Sequence, residues 1–148
     1  MEDEVRVALD SDADLVAARA EGRAMAERLG FPRPDPTLIA TAISEVGRNI
    51  VVHAGRGEIV LKPFEEHDRY GIVVVATDAG PGIRDVDAAL RDDVSGRGGL
   101  GLGLPGARRL MDDFEVASSP DTGTTVTMTK WRFRDELARL REERRTRA

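Results

Sequence analysis

The 148-residue chain contains no cysteine and only two histidines. Without cysteine it has no disulfide framework, no thiolate metal site and no cysteine nucleophile, and two histidines leave little for a zinc site. No apolar run approaches the ~20 residues that cross a bilayer, and the start, Met1-Glu2-Asp3-Glu4, is too acidic for a secretory signal. We therefore expect a soluble, cytoplasmic protein with no membrane partner, whose chemistry comes from carboxylates, amides and backbone groups.

The formal net charge of −5 argues against binding to nucleic acid, which requires basic surface to neutralise phosphates. The charge is uneven, because residues 132–148 contain seven arginines and four acidic residues, so that this tail carries +3 and the rest of the chain −8. The length, with 41% hydrophobic residues, suits one domain with one core. We predict a single domain over residues 1–131 and a charged, helical C-terminal extension over 132–148.

The tail has two interpretations. Phe133, Leu137 and Leu140 follow the spacing i, i+4, i+7, which predicts a short amphipathic helix whose apolar strip packs on the domain or on a partner. A solvated, frayed charged end fits the same composition equally well.

Hydrophobic periodicity predicts an order of strands and helices. Ser11 with Asp14 resembles a capping box, and Asp35 before Pro36 is typical of a helix N-cap. Because strands follow helices without strict alternation, we predict a two-layer α/β (α+β) sandwich, with a mixed, mostly antiparallel sheet covered on one face by helices. The predicted strands span residues 4–9, 58–64, 70–77, 114–118 and 124–130, and the predicted helices span 11–29, 35–54, 85–92 and 105–113.

The second predicted helix carries a polar stripe beside its apolar one. Thr41, Glu45, Asn49 and His53 recur every fourth residue and therefore stack along one side of the helix. An acid one turn before an amide could orient a water or hydroxyl while the amide oxygen helps to hold Mg²⁺, although a plain solvated face is the alternative. Gly47 costs ~1 kcal/mol against alanine within a helix, and such a glycine often marks the close approach of another group.

A second motif, Asp78-Ala79-Gly80-Pro81-Gly82, follows a predicted buried strand. Its glycines allow a sharp backbone turn where a side chain would obstruct a ligand. The exposed carboxylate of Asp78 could accept a hydrogen bond from an exocyclic amino group, which distinguishes adenine from guanine. An ordinary strand-ending turn is the alternative.

A third motif runs from Gly98 to Gly103 and leads into the helix predicted near Pro105. Backbone N–H groups there can cradle phosphates, and the helix N-terminus adds partial positive charge, although a flexible hinge is an alternative. Residues 101–106 also fit G-x-G-x-x-G, but that fingerprint requires a strand directly before it, which residues 92–97 are not. There is no P-loop sequence. The three motifs together predict an ATP site.

The motifs occur in one order, followed by Gly123-Thr124-Thr125-Val126, and in this order they resemble the GHKL ATPase/kinase family of histidine kinases, gyrase B and MutL. The resemblance implies the GHKL (Bergerat) ATP-binding fold, with ATP and Mg²⁺ as cofactors. It also implies roles for individual residues: Glu45 as general base, Asn49 as Mg²⁺ ligand and Asp78 as adenine contact, with the pocket lined by Gly80, Gly82, Gly99, Gly101 and Gly103 and with Thr124 or Thr125 near the nucleotide.

The segment from Ala40 to Ile50, the run from Gly99 to Gly106 and the closing Lys130-Trp131 are similar to one branch, the small bacterial anti-sigma and switch kinases of the stressosome, RsbT-type. The similarity covers about residues 4–131, and Gly47 departs from it because alanine is expected there. It implies a serine/threonine kinase that phosphorylates a STAS-domain antagonist and then activates a PP2C-type phosphatase. In such a kinase Glu45 would draw the proton from the incoming hydroxyl.

A non-catalytic module is the rival interpretation: an ATP-binding anti-sigma factor, with a sigma factor as partner, or a phosphatase activator whose conformation ATP sets. A chaperone or topoisomerase ATPase fits less well because no transducer domain follows. A histidine kinase fits less well because no phosphoacceptor helix precedes the motifs. Glu45 is the residue that divides a kinase from a binding module.

Overall fold

Five antiparallel strands form one sheet in the computed structural model, which describes residues 4–80, 103–119 and 121–147. This confirms the predicted α+β architecture, and every strand pair among the described residues is antiparallel. The sheet order is β1-β2-β3-β5-β4, with β1 Val5–Leu9, β2 Gly57–Glu65, β3 Arg69–Asp78, β4 Asp113–Ser119 and β5 Gly123–Phe133. The helices are α1 Asp12–Leu29, α2 Asp35–Asn49, α3 Gly103–Leu110 and α4 Glu136–Arg147, and a π-helical turn, Ile50–Ala54, continues α2.

The core lies between one face of the sheet and the helices. Successive side chains of a strand point to opposite faces, so alternate residues of β3 face inward. Val74 of β3 is fully buried, and the register places it between Leu61 of β2 and Met128 of β5, which are fully buried as well. The apolar stripe predicted on the second helix completes this core, with buried residues Ile39, Ala42, Ile43, Val46 and Ile50.

Two glycines let α1 pack closely along α2. A Cβ atom on Gly47 would lie 2.4 Å from Cδ2 of Leu15, and one on Gly22 would lie 2.3 Å from Cδ1 of Ile43. The close approach predicted from the mid-helix glycine is therefore made by α1. This packing explains why Gly47 occupies a helical position despite its low helix propensity.

The beginning of α2 is held by an ion pair, and the predicted N-cap role of Asp35 is wrong. Pro34 is the N-cap residue, and the helix has no side-chain capping hydrogen bond. Asp35, 1% exposed, instead accepts two hydrogen bonds from the guanidinium of Arg132 on β5, at 2.6 Å from Nε and 3.0 Å from Nη2. This planar, two-bond geometry ties the first turn of α2 to the last strand.

The helix of the C-terminal extension, α4, is attached to the turn between β2 and β3. Arg141 donates a hydrogen bond to Oδ1 of Asp68 at 2.6 Å, and this bond lowers the pKa of the Asp68 carboxyl below its ordinary value. Arg134, just before α4, donates through Nη2 to the backbone carbonyl of Glu66 at 2.6 Å. Charged side chains of the extension thus attach it to this turn.

The apolar strip predicted for the extension does not pack on the described part of the domain. Phe133 belongs to β5, whereas Leu137 is 62% and Leu140 41% exposed. Ala138 is the buried residue of α4. The division of the chain at residue 131 stays a prediction, although β5 continues past it to Phe133.

The remaining differences from the predicted elements lie at element ends. The last turn of the predicted second helix is π-helical, and α3 ends at Leu110 because β4 begins at Asp113. At α1, Ser11 makes no capping bond through its side chain, although Asp14 accepts one from the backbone N–H of Asp10 at 2.8 Å. The helix predicted over residues 85–92 lies outside the described residues. Within the described ranges no helix is long and apolar enough to cross a membrane.

Replacing Arg132 by alanine should lower the free energy of unfolding by about 2 kcal/mol, because it leaves the buried Asp35 carboxylate without its partner. The matched control is Arg6→Ala. It breaks a surface pair with Glu58 in which the side chains are 61% and 42% exposed, and it should cost under about 1 kcal/mol. Urea unfolding of both variants measures the difference. Equal losses would show that Asp35 does not depend on Arg132.

Candidate functional site

The described residues of the three motifs lie around the end of α2. Glu45 and Asn49 are half-buried on its last two turns, Asp78 ends β3, and Gly103 begins α3. α2 packs against α3, and the π-helical turn after α2 contacts the segment after β3. One helix therefore brings the acid-amide pair next to the parts of the other two motifs that the structure describes.

A hydrogen bond joins the first motif to the third. The backbone N–H of Gly103 donates to Oε1 of Glu45 at 2.9 Å. The first N–H groups of a helix have no acceptor within that helix and carry partial positive charge, so a carboxylate is a favourable partner there. Gly103 has φ +67°, a left-handed conformation that favours glycine. Glu45 therefore fixes the point at which the glycine-rich motif becomes a helix.

The other residues of the polar stripe, Thr41 and His53, do not take part in this contact. Thr41 donates its hydroxyl to the carbonyl of Thr37 at 2.9 Å, a bond within the helix. Asn49 is the last residue of α2, and His53 lies exposed in the π-helical turn, where the four-residue spacing no longer keeps side chains on one line. The structure thus brings together Glu45 and Asn49 from this stripe and leaves the other two outside the site.

The π-helical turn places the end of α2 against the second motif. A Cβ atom on Gly80 would lie 2.5 Å from Cβ and 2.9 Å from Cα of Ala54. No side chain fits between these two segments. Gly80, which was predicted to allow a sharp turn, is therefore required because the π-helical turn lies so close to it. The acid-amide pair and Asp78 are therefore parts of one packed unit.

The carboxylate of Asp78 is held by its own turn. Its Oδ1 accepts a hydrogen bond from the backbone N–H of Gly80 at 2.8 Å, the pattern of an Asx-turn. This bond orients the half-buried carboxylate and leaves Oδ2 as the oxygen to accept from a ligand. Asp78 lies on the helix-facing side of the sheet, because it alternates in register with Val74 and Ala76, which are both buried.

Of the two candidate threonines, Thr124 is the one that shares a face with Asp78. The register pairs Thr124 directly with Asp78, and Thr124 is 9% exposed. Thr125 points to the opposite face because adjacent strand residues alternate, and it lines a shallow depression there with Ala117 and Thr127. A ligand bound to Asp78 on this face would lie on the same side of the sheet as Thr124 and on the opposite side from Thr125.

Two features of the site were missed from the sequence. Ser118 of β4 lies opposite Thr124, and their hydroxyl oxygens are 2.8 Å apart. Counting outward from a turn at residues 120–123 would pair Thr124 with Ser119 instead, one residue away from the observed register. The contact of Ala54 with Gly80 depends on the π-helical turn, for which the sequence offers no comparable signal.

Three predicted pocket residues, Gly82, Gly99 and Gly101, lie outside the described residues. In the ranges that are described, no three acidic or histidine side chains come together as a metal-binding group. The described groups can do two things chemically. A carboxylate and an amide one turn apart can accept a proton and bind a cation, and a carboxylate next to a buried hydroxyl can read a ligand with donor and acceptor groups.

Comparison with known proteins identifies the family of this chain. The family of histidine kinase-like ATPase domains matches residues 8–130. The chain is 43% identical over 131 residues to the serine/threonine-protein kinase RsbT of Bacillus subtilis, covering 88% of this chain and 98% of that protein. It is 34% identical over 108 residues to the anti-sigma F factor of Thermoanaerobacter sp., covering 66% of this chain and 74% of that protein.

A solved structure has the same fold. The RsbU and RsbW domains of Rv1364c from Mycobacterium tuberculosis superpose with a TM-score of 0.60 at 23% identity, covering 88% of this chain. The chain spans 32% of the length of that larger protein. By its sequence and its fold, the chain belongs to the family of histidine kinase-like ATPase domains, in the group that contains RsbT and the anti-sigma F factors.

Proposed function

We propose that this chain is an ATP-dependent protein serine/threonine kinase that acts as a partner-switching regulator in a bacterial stress or sigma-factor pathway. Its substrate is a STAS-domain antagonist, and its second partner is a PP2C-type phosphatase, which it activates. The observation that carries the proposal is the position of Glu45, a half-buried carboxylate one turn before Asn49 that is held by the first N–H of α3. The 43% identity to a protein named as a serine/threonine kinase supports it.

Each described residue has a part in the proposed transfer. Asp78 accepts a hydrogen bond from the adenine amino group, and Thr124 lies beside it. Glu45 takes the proton of the partner's serine or threonine hydroxyl through Oε2 while that oxygen forms a bond to the γ-phosphorus. The bond from the γ-phosphorus to the bridging oxygen breaks, and ADP leaves. Backbone N–H groups in the first turn of α3 offset the developing charge.

The amide oxygen of Asn49 fits a magnesium ion. Mg²⁺ is usually bound by one or two protein oxygens together with substrate phosphates. A single half-buried amide oxygen at the end of α2 is therefore enough as the ligand that the protein supplies. When bound, the ion would neutralise charge on the phosphates.

A second candidate function is a non-catalytic anti-sigma factor or phosphatase-activating module. The hydrogen bond from Gly103 favours it, because that bond gives the Glu45 carboxylate a structural task that needs no proton transfer. The identity of 34% to an anti-sigma F factor is in keeping with this alternative. The two functions differ in whether Glu45 must be basic or must only accept a hydrogen bond.

Replacing Glu45 by glutamine should separate these tasks. The amide oxygen of glutamine can still accept from Gly103, whereas the side chain cannot take a proton. We expect phosphoryl transfer from radiolabelled ATP to a STAS partner to fall by about a hundredfold or more, with ATP affinity and thermal stability within error of wild type. The matched control is Glu21→Gln on the exposed surface of α1, which should leave transfer unchanged.

Full transfer by Glu45→Gln would exclude Glu45 as the base. If wild type binds ATP but phosphorylates no STAS protein, and both wild type and Glu45→Gln bind the partner equally, the binding module is the correct function. Glu45→Ala completes the series. It also removes the acceptor for Gly103, so it should lose about 1 kcal/mol of stability that Glu45→Gln keeps.

Asp78→Asn should weaken ATP binding by about ten- to a hundredfold, because an amide in place of the carboxylate turns N–H donors toward the adenine amino group or loses the charge that strengthens the bond. Titration calorimetry measures the affinity. Asp121→Asn, an exposed residue of the β4–β5 turn, is the control and should bind ATP like wild type. Equal affinities for both variants would exclude Asp78 as the adenine contact.

The adjacent residues Thr124 and Thr125 of β5 provide a matched pair of substitutions. Thr124→Val should weaken ATP binding by about three- to tenfold through loss of one hydroxyl, and Thr125→Val, the same change on the opposite face of the same strand, should not. The same calorimetric titration decides between them. A weaker affinity in Thr125→Val alone would place the nucleotide on the other face of the sheet.

A further inference from the structure

Two hydroxyl groups lie together beside Asp78 where the sheet ends. Ser118 of β4 and Thr124 of β5 face each other across the strands, with 2.8 Å between their oxygens, and either can be the donor. Thr124 in turn pairs with Asp78 on β3, so the three side chains form one row on the helix-facing side of the sheet. Cβ atoms of directly opposed residues are about 4.5–5.5 Å apart, so Asp78 and Thr124 can contact the same ligand.

We propose that Ser118 is a positioning residue for adenine: it donates its proton to the Thr124 hydroxyl and thereby directs the Thr124 proton toward the nucleotide. The inference rests on the proposed function, since it concerns how the same pocket reads its base. Ser118 itself need not touch the nucleotide.

The hydrogen-bonding pattern of adenine explains why the direction of the Thr124 proton matters. The base edge that Asp78 would read has one donor, the exocyclic amino group, next to one acceptor, N1. The carboxylate can only accept, so it matches the amino group, and N1 requires a donor, directly or through one water. Thr124 has a single proton. If it donated to Ser118, it would present only lone pairs beside Asp78, and N1 would face no donor.

The hairpin that carries the two hydroxyls is held rigidly. Oγ of the neighbouring Ser119 accepts from the backbone N–H of Asp121 at 3.2 Å and of Thr122 at 3.1 Å, and it lies 2.9 Å from the Thr122 hydroxyl. Gly123 has φ +84°, and a Cβ atom there would lie 2.1 Å from the carbonyl oxygen of Asp78. This close approach and the strand register fix the distance of Thr124 from Asp78, so the main freedom left to the Thr124 hydroxyl is rotation, which Ser118 restricts.

The test compares two nucleotides that differ only at the proposed contact. In 1-deaza-ATP a C–H group replaces N1, so the amino group that Asp78 reads is kept and the acceptor is lost. Wild type should bind ATP about tenfold more tightly than 1-deaza-ATP. Ser118→Ala should reduce this preference by about three- to fivefold, chiefly by weakening ATP binding, because a freely rotating Thr124 hydroxyl donates to N1 only part of the time.

Three further variants separate positioning from loss of structure. Ser119→Ala makes the same change one residue away and loosens the turn, and it should keep the wild-type preference even if its melting temperature falls. Ser118→Thr keeps a hydroxyl at this position and should therefore keep the wild-type preference for ATP over 1-deaza-ATP. In a Thr124→Val background, Ser118→Ala should change the preference no further.

The outcomes are distinct. If wild type does not bind ATP, the proposed function fails. If wild type binds ATP and 1-deaza-ATP equally, or if Ser118→Ala retains the full preference, ATP binding stands and the role of Ser118 is excluded. An equal loss of preference in Ser119→Ala would assign the effect to the hairpin and would also exclude it.

Discussion

The structure depends on how closely the backbone can approach the segment from Asp78 to Gly80. Three segments contact this stretch of chain, and in each contact one of the two residues is a glycine, which has no side chain. Cβ atoms on Gly57, Gly80 and Gly123 would lie 2.3, 2.5 and 2.1 Å, respectively, from the Thr77 carbonyl oxygen, Cβ of Ala54 and the Asp78 carbonyl oxygen. Such distances are far inside van der Waals contact, so these positions admit only glycine without displacement of the backbone. The end of α2, the start of β2 and the start of β5 therefore occupy fixed places around Asp78.

The site consequently has two parts that are held by different forces. The part with Asp78 and Thr124, which we propose as the adenine side, is fixed by backbone packing and strand register, neither of which involves groups that would react. The start of α3, which we propose as the phosphate side, is held to α2 by apolar packing and by the hydrogen bond from Gly103 to Glu45, the carboxylate that transfer would require. The proposed base contact therefore does not depend on the hydrogen bond at the start of α3.

The fold was predictable because it depends on local patterns. Period-two and period-3.6 hydrophobicity predicted the five strands and the first two helices of the described part of the chain, and the order of elements predicted the layer architecture. Residue type and spacing also singled out Glu45 and Asp78, which the structure places around the end of α2, and their roles toward a nucleotide stay predictions. The pairing of Asp35 with Arg132, 97 residues apart, was not, because no local pattern records which charges meet in space. The helical period also failed at the π-helical turn, where it placed His53 in line with Asn49.

The ion pair between Asp35 and Arg132 also bears on the order in which the molecule can form. The helix with the acid-amide pair is made early in the chain, yet the guanidinium that holds its first turn belongs to the last strand. Contacts of such long sequence separation form only after the loop between them has closed, at an entropic cost that slows folding. On a ribosome, α2 cannot reach its final attachment until Arg132 has been synthesised and has left the exit tunnel. The helix that carries the acid-amide pair is therefore synthesised early and reaches its final attachment late.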